Sequence, residues 1–360
     1  MGTTGQLQEF VQEYYGKLLS KSEDLKTNAC CAAGAPPAWV ASCLQNIHPD
    51  VSAKFYGCGF PFPHAVNAAK VLDLGSGSGR DVYVLSQLVG CCGKVTGLDM
   101  TDEQLEVARS TQQWHADKFG QKSSNVEFVK GYIEDLKGAG VEDDSLDVII
   151  SNCVVNLSPR KDLVLAEAYR ALKVGGELYF SDVFVDRRLP EDVATEPVLY
   201  AECLGGALYE NDFISMARKV GFIDLRVVSR SEITIQNDEV QELVGTARFT
   251  SVTYRLFKLP EMDDQCEDYG QVAVYKGGIL GAEKLFWLDE NHAFEVGRPE
   301  RICANTADML SQTRYAKYFD IAGSKDVHYG EFECGPTMAA AQYGAGSVSS
   351  VGDFSTGSCC

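Results

Sequence analysis

The 360-residue chain is short of positive charge: 32 Lys and Arg stand against 51 Asp and Glu, a formal net charge of −19. Overall charge therefore excludes nucleic-acid binding driven by phosphate neutralisation. Long apolar runs are also missing. No window approaches 18 uncharged apolar residues, which argues against a membrane span. The start, MGTTGQLQEF, has no cationic lead and no apolar stretch of signal-peptide length, and Gln6 stands where a myristoylation signal needs Ser or Thr. These absences point to the cytoplasm. Histidine is scarce: His48, His64, His115, His292 and His328 show no metal-ligand spacing. No C-x-x-C occurs, and adjacent pairs such as Cys30-Cys31 and Cys91-Cys92 cannot easily chelate one tetrahedral ion, which disfavours structural zinc.

What the chain does hold is hydrophobic residues and cysteine. At 45% hydrophobic it lies far from the compositions that stay disordered. Its 13 cysteines, spread along a large acidic chain, do not form the framework of a small secreted scaffold. In a reducing cytosol they are expected as free thiols, available for redox chemistry, soft-ion binding or packing.

Leu7, Phe10, Val11, Tyr14, Leu18 and Leu19 recur at helical spacing and predict an amphipathic helix that serves the core rather than the chemistry. Residues 28–66 read as irregular, with Pro36, Pro37, Pro49, Pro61 and Pro63, and complete an N-terminal unit over 1–66. From Lys70, short β-rich runs (Val71 to Leu74, Val95 to Leu98, Val126 to Val129, Leu146 to Ser151, Gly176 to Ser181) alternate with helical patterns. That alternation predicts a doubly wound α/β core over 67–247, a parallel sheet with helices on both faces. Leu225 to Val228 and Ile233 to Ile235, around the polar Ser229, Arg230 and Ser231, fit a closing antiparallel hairpin. Residues 248–322 read as a smaller C-terminal α+β domain, with strands at Ser251 to Phe257 and Gln271 to Tyr275, a Gly277-Gly278 turn and a helix at Ala307 to Phe319. The remainder, 323–360, is expected as a mobile Gly/Ser/Cys tail.

The run Asp73-Leu74-Gly75-Ser76-Gly77-Ser78-Gly79-Arg80 ends a predicted strand and opens a helix, where glycines let backbone approach a ligand. A dinucleotide fingerprint needs its third glycine at position 80, which is Arg80. The spacing favours S-adenosylmethionine over NAD: a zwitterionic methionine moiety carries no pyrophosphate, so Asp73 can accept from its ammonium beside Gly75, Ser76 and Gly77. Asp99, before Met100 at the end of the next strand, is placed to accept both ribose hydroxyls. Ile133 and Glu134, after the third strand, are placed along the adenine.

Where methyltransferases acting on nitrogen carry an Asn-Pro-Pro-aromatic motif, this chain has Ser151-Asn152-Cys153-Val154, so a thiol faces the methyl donor beside Asn152. With Thr27-Asn28-Ala29-Cys30, Tyr56-Gly57-Cys58-Gly59 and Glu202-Cys203-Leu204-Gly205-Gly206-Ala207, the chain resembles the arsenite methyltransferases, a family within the Rossmann-like class I methyltransferases. The resemblance runs from about Tyr14 to about Phe319. It implies that Cys153 and Cys203 hold trivalent arsenic, and that Cys58 and Cys30 supply a further thiol and disulfide exchange.

Soft thiolates select such a centre, which takes three sulfurs and keeps a lone pair on its open side. If Cys58, Cys153 and Cys203 form that pyramid, the lone pair faces the sulfonium methyl, and neither a general base nor a metal ion is required. Neighbouring thiols return electrons by forming a disulfide, which thioredoxin or glutathione reopens; Cys30, or Cys31 beside it, is the expected relay. Glu202 either tunes Cys203 or is a solvated helix-start carboxylate. The expected substrates are arsenite and methylarsenite, converted to mono- and dimethyl products by a monomer without nucleic-acid or membrane partners. Methylation of a small organic thiol, or metalloid binding without turnover, are the competing readings.

Overall fold

The computed structural model describes residues 4–19, 25, 27 and 35–343; Cys30, Cys31, Cys359 and Cys360 lie outside them. Eight strands build the main sheet: β1 (Lys70–Leu74), β2 (Lys94–Asp99), β3 (Val126–Lys130), β4 (Leu146–Asn152), β5 (Leu172–Val185), β6 (Leu208–Tyr209), β7 (Leu225–Ile233) and β8 (Phe249–Phe257). Their order is β3-β2-β1-β4-β5-β8-β7, with the short β6 added to β5. β1 to β5 pair in parallel, and β8 runs antiparallel to both its neighbours.

Central parallel strands are covered on both faces and so read as near-continuous apolar runs. Val71, Leu72 and Leu74 of β1 and Val148, Ile149 and Ile150 of β4 are almost entirely removed from solvent. One face packs under the helices Arg80–Val89 and Asp102–Ser110, the other under Lys161–Ala171 and Glu210–Val220. The strand order reverses between β1 and β4, which opens a crevice beyond their carboxyl ends, the place where ligands bind in such sheets.

Two sequence expectations change here. The hairpin expected at 225–235 is a single edge strand, β7; its exposed Ser229, Arg230 and Ser231 are polar because they face solvent, not because the chain turns. The antiparallel strand is β8, which the sequence reading placed in the C-terminal domain; its pairing with β5 along Glu177 to Val185 carries the core to Phe257, beyond the expected boundary at 247. Residues 38–53, expected as irregular, hold the short helices Ala38–Leu44 and Pro49–Ala53. Pro37 caps the first and Pro49 begins the second, a position where a missing N–H costs no hydrogen bond.

The C-terminal domain contains β9 (Val272–Tyr275), β10 (Leu285–Asp289), β11 (His292–Glu295), β12 (Pro299–Arg301) and β13 (Phe319–Ala322), arranged as β12-β9-β13 and a β10-β11 hairpin. Its helix is Ala304–Ser311, shorter than expected, followed by a 3-10 turn at Ala316–Tyr318. A buried cluster joins this domain to the core. Arg255 of β8 pairs with Glu177 of β5 and donates to Leu288 O at 2.6 Å and Tyr315 Oη at 3.0 Å, while Arg314 reaches the same carboxylate. Part of the expected tail is also fixed. Thr337, Ala339 and Ala340 are buried, and Glu300 accepts the N–H groups of Met338 and Ala339 at 2.9 and 3.0 Å, capping the helix Met338–Tyr343. No helix among the described residues is long and apolar enough to cross a membrane.

Candidate active site

Gly75 and Gly79 have φ of +67° and +90°, left-handed backbone that lets the chain leave β1 and enter the helix Arg80–Val89 within a few residues. The N–H groups of Gly75 and Ser76 both donate to Leu98 O, at 2.8 and 2.9 Å, and pin the loop to the end of β2. Asp99 is held alongside: its two carboxylate oxygens accept from Gly77 N and Thr101 N, each at 2.8 Å. A cavity that opens to solvent follows this loop. Asp73, Gly75, Ser76, Gly77, Asp99, Met100, Ile133, Glu134 and Asn152, the nine residues expected to hold the donor, all lie on its wall.

The wall carries four carboxylates, Asp73, Asp81, Asp99 and Glu134, against one lysine, Lys54. Burial raises the Asp73 carboxyl well above the usual carboxylate range, and the nearby Asp81 and Asp99 add to the effect. Burial also raises Asp99. Arg80 is committed to Asp81 at 2.7 Å and stacks on the Phe55 ring, 3.0 Å from its centroid. Ser76 Oγ and Gln104 Oε1, both buried on the wall, have no hydrogen-bond partner among the described residues. The cavity is thus suited to a polar ligand that brings positive charge.

The N-terminal helix (Thr4–Glu13) and the turn after it contribute Gln8, Val11 and Tyr15 to the wall, so this segment is not core alone. Gln12 donates to Met100 O at 2.8 Å and Tyr15 accepts from Gln104 through its carbonyl at 2.9 Å. Gln8 and Tyr15 adjoin Val11, a member of the apolar stripe, on one flank of that segment.

Asn152 borders the cavity, but its amide is also a clamp. Nδ2 donates to Asp81 at 2.8 Å and to Gly59 O at 3.0 Å, while Oδ1 accepts from Gly59 N at 3.0 Å. This fixes loop 57–59 to the end of β4. Cys58 and Cys153, 95 residues apart in sequence, come to a Cα separation of 5.8 Å and are joined as a disulfide. The expectation of free thiols is corrected at this pair and at Cys266–Cys334 in the C-terminal domain.

Cys203 is fully buried. The helix Pro197–Ala201, whose start is capped by Glu196 accepting from Leu199 N at 2.6 Å, ends just before it. The exit is a Schellman motif: Leu204 N donates to Leu199 O at 2.9 Å and Cys203 N to Tyr200 O at 3.1 Å. Glycine normally takes the left-handed position of that motif. Here Cys203 takes it, with φ +65°, and Cys153 has φ +58°. Each such residue costs roughly 1–2 kcal/mol, and strain of this kind collects at functional sites.

Cys203 Sγ donates to Cys153 O at 3.1 Å, and ligand atoms of Cys153, Cys203 and Asp182 lie within 4.8 Å of one another. Cys153 is thus bonded to Cys58 and lies beside Cys203, and it forms part of the cavity wall. Cys30 lies outside the described residues. Glu202 is buried rather than solvated, accepting from Tyr14 Oη and Thr27 N at 2.5 Å each, and so ties the N-terminal segment to the Cys203 turn. Asp182 escaped the sequence reading. Burial pushes its carboxyl up to about 7, against opposing hydrogen bonds from Val183 N and Asn156 N. Burial likewise pushes the neighbouring Lys161 down to about 8. An acid inside the apolar run of β5 was the available signal.

The strand order, the switch-point crevice and the glycine loop are those of a Rossmann-like methyltransferase, and the family description "Methyltransferase domain" matches residues 65–243. A second, "Arsenite methyltransferase C-terminal domain", matches residues 268–360. The chain is 54% identical over 330 residues to an arsenite methyltransferase of Aquipseudomonas alcaligenes, covering 91% of this chain and 95% of that protein. With an arsenite methyltransferase of Homo sapiens it shares 47% over 317 residues, 87% and 83% of the two chains. The X-ray structure of an arsenic(III) S-adenosylmethionine methyltransferase from Chlamydomonas reinhardtii aligns with a TM-score of 0.80 at 53% identity, covering 83% of this chain and 100% of that one. The chain belongs to the arsenite methyltransferase family.

Proposed function

We propose that this chain transfers a methyl group from S-adenosylmethionine to trivalent arsenic held by Cys153 and Cys203, with Cys58 as the third sulfur, and repeats the transfer on the monomethyl product. One observation carries the reading: the two cysteines that occupy strained left-handed backbone are those whose sulfurs converge, and one of them borders the cavity.

The cavity fits the donor. Asp73 suits its ammonium group, and Asp99, already oriented by two N–H donors, keeps lone pairs for ribose hydroxyls. Ser76 Oγ and Gln104 Oε1 offer further polar contacts, while Met100, Ile133 and Glu134 flank the adenine position. When bound, S-adenosylmethionine supplies a methyl group on a positively charged sulfur, open to in-line attack. Asn152 keeps Cys58 at β4, and the Schellman turn keeps Cys203 against Cys153, so the sulfurs are positioned before substrate arrives. The nucleophile is arsenic's lone pair and loses no proton, so the scheme calls for no general base and no metal ion beyond the substrate.

Forming the arsenic–carbon bond formally takes two electrons from arsenic. They return when two arsenic–sulfur bonds break and one sulfur–sulfur bond forms, and the Cys58–Cys153 disulfide has the connectivity such a step leaves. Thioredoxin or glutathione in the cytoplasm reopens it, with Cys30 as relay. Thr27, three residues earlier, donates to Glu202 beside Cys203. The monomer suffices.

The test incubates the reduced chain with methyl-labelled donor and arsenite. Labelled methylarsenicals are expected. Label found only on an added organic thiol would favour small-molecule thiol methylation, and bound arsenic without transfer would favour sequestration.

A further inference from the structure

We propose that Cys266, Cys303 and Cys334 form a second three-thiol site, in the C-terminal domain, which takes up arsenite once the Cys266–Cys334 disulfide is opened. The choice of arsenite rests on the function proposed above; the site rests on geometry. The three sulfurs lie within 4.8 Å of one another, although their residues come from three separate segments. Backbone hydrogen bonds hold the segments together: Phe332 N donates to Cys266 O at 2.8 Å and Ala304 N to Glu267 O at 3.0 Å.

Cys303 is buried, Cys266 half-buried and Cys334 exposed, so the cluster has an inner end and an open one. The inner end is polar and tightly paired. Cys303 is the N-cap of the helix Ala304–Ser311, and its sulfur lies 3.8 Å from Arg226 Nη2 and 3.3 Å from Thr306 Oγ1. Arg226 is itself buried and fixed by Asp224 at 2.7 Å and Asp289 at 3.2 Å. Three sulfurs, with no fourth His, Cys, Asp or Glu in the cluster among the described residues, match the pyramidal demand of trivalent arsenic better than the tetrahedral demand of zinc.

The chemistry closes without further reactants. A dithiol reductant gives two electrons and two protons to the Cys266 and Cys334 sulfurs and leaves as its own disulfide. Arsenous acid then exchanges three arsenic–oxygen bonds for three arsenic–sulfur bonds. Each hydroxyl departs as water with the proton of one thiol, and arsenic keeps its oxidation state.

The experiment uses the full chain, reduced with a phosphine, desalted, loaded with excess arsenite and desalted again before bound arsenic is counted. Wild type is compared with Cys303→Ala and with Cys334→Ala, an exposed position where truncation leaves the fold intact. Each variant is expected to lose the same single equivalent, with no further loss in the double variant. In wild type, arsenite is expected to shield all three thiols together from iodoacetamide, while Cys334→Ala keeps the wild-type rate of methyl transfer. An unchanged arsenic count in Cys334→Ala, or alkylation of the three thiols indifferent to arsenite, overturns the site, as does zinc retained there against excess arsenite. A chain that loses the equivalent but methylates nothing in any form refutes the proposed catalysis and leaves this site standing.

Discussion

Replacing Cys203 separates the cost of its backbone from the role of its sulfur. The residue sits at φ +65° in the left-handed position of a Schellman turn and is fully buried. Cys203→Ala removes the sulfur but keeps the strain, whereas Cys203→Gly removes the sulfur and the strain together. At an ordinary buried position, glycine would be less stable than alanine by about 0.5–1 kcal/mol of backbone entropy and about 0.8 kcal/mol for the lost methyl group. Relief of left-handed strain returns roughly 1–2 kcal/mol. The two variants are therefore expected to agree within about 0.5 kcal/mol, read as equal guanidinium midpoints with equal slopes under reducing conditions. Both are expected to lose methyl transfer to arsenite and to methylarsenite. A glycine variant about 1.5 kcal/mol less stable than alanine would refute the strain argument, and wild-type turnover in either would remove Cys203 from the mechanism.

Asp182 gives a pH signature. Its folded value of about 7 exceeds the ordinary 3.8, so its contribution to stability is complete below about pH 4 and is lost as pH rises through about 7, about 4 kcal/mol in all. Wild type should lose about 3 kcal/mol of it relative to Asp182→Asn between pH 5 and pH 8, and an equal gap in denaturant midpoints at the two pH values would reject it. Asp99→Ala removes a carboxylate that positions the glycine loop and should weaken donor binding about 10–100-fold by calorimetry, with arsenite stoichiometry unchanged; loss of both would indicate misfolding. Glu177→Ala strands Arg255 and Arg314 and should cost about 3–5 kcal/mol; a loss below about 1 kcal/mol would show that the domains do not depend on the cluster.

The parallel strands and the donor wall were legible because both follow from local pattern. The runs at β1, β2 and β4 are short, apolar and followed by helical periodicity, and Gly75, Gly77 and Asp99 sit at fixed offsets from strand ends. β8 was misplaced because insertion between β5 and β7 is a long-range pairing that leaves no mark on its own residues. Asp182 and the Cys266, Cys303 and Cys334 cluster were missed for the same reason: their meaning lies in neighbours far away in sequence. Cys203 was found through its motif, but its strained backbone was not, since a Schellman turn ordinarily announces itself by glycine.

The amide of Asn152 grips both the N–H and the C=O of Gly59. That grip does not depend on the adjacent disulfide, so reduction frees the Cys58 sulfur without releasing its backbone. The two thiols stay confined to one another's neighbourhood, at an effective concentration far above that of any free thiol in the cell. Ring closure then competes with reopening by a single-thiol reductant, because the second cysteine attacks each mixed disulfide formed with it. If the pair cycles as proposed, a reductant carrying two thiols on one scaffold is expected to reopen it faster than glutathione does, a preference that follows from the grip of one asparagine.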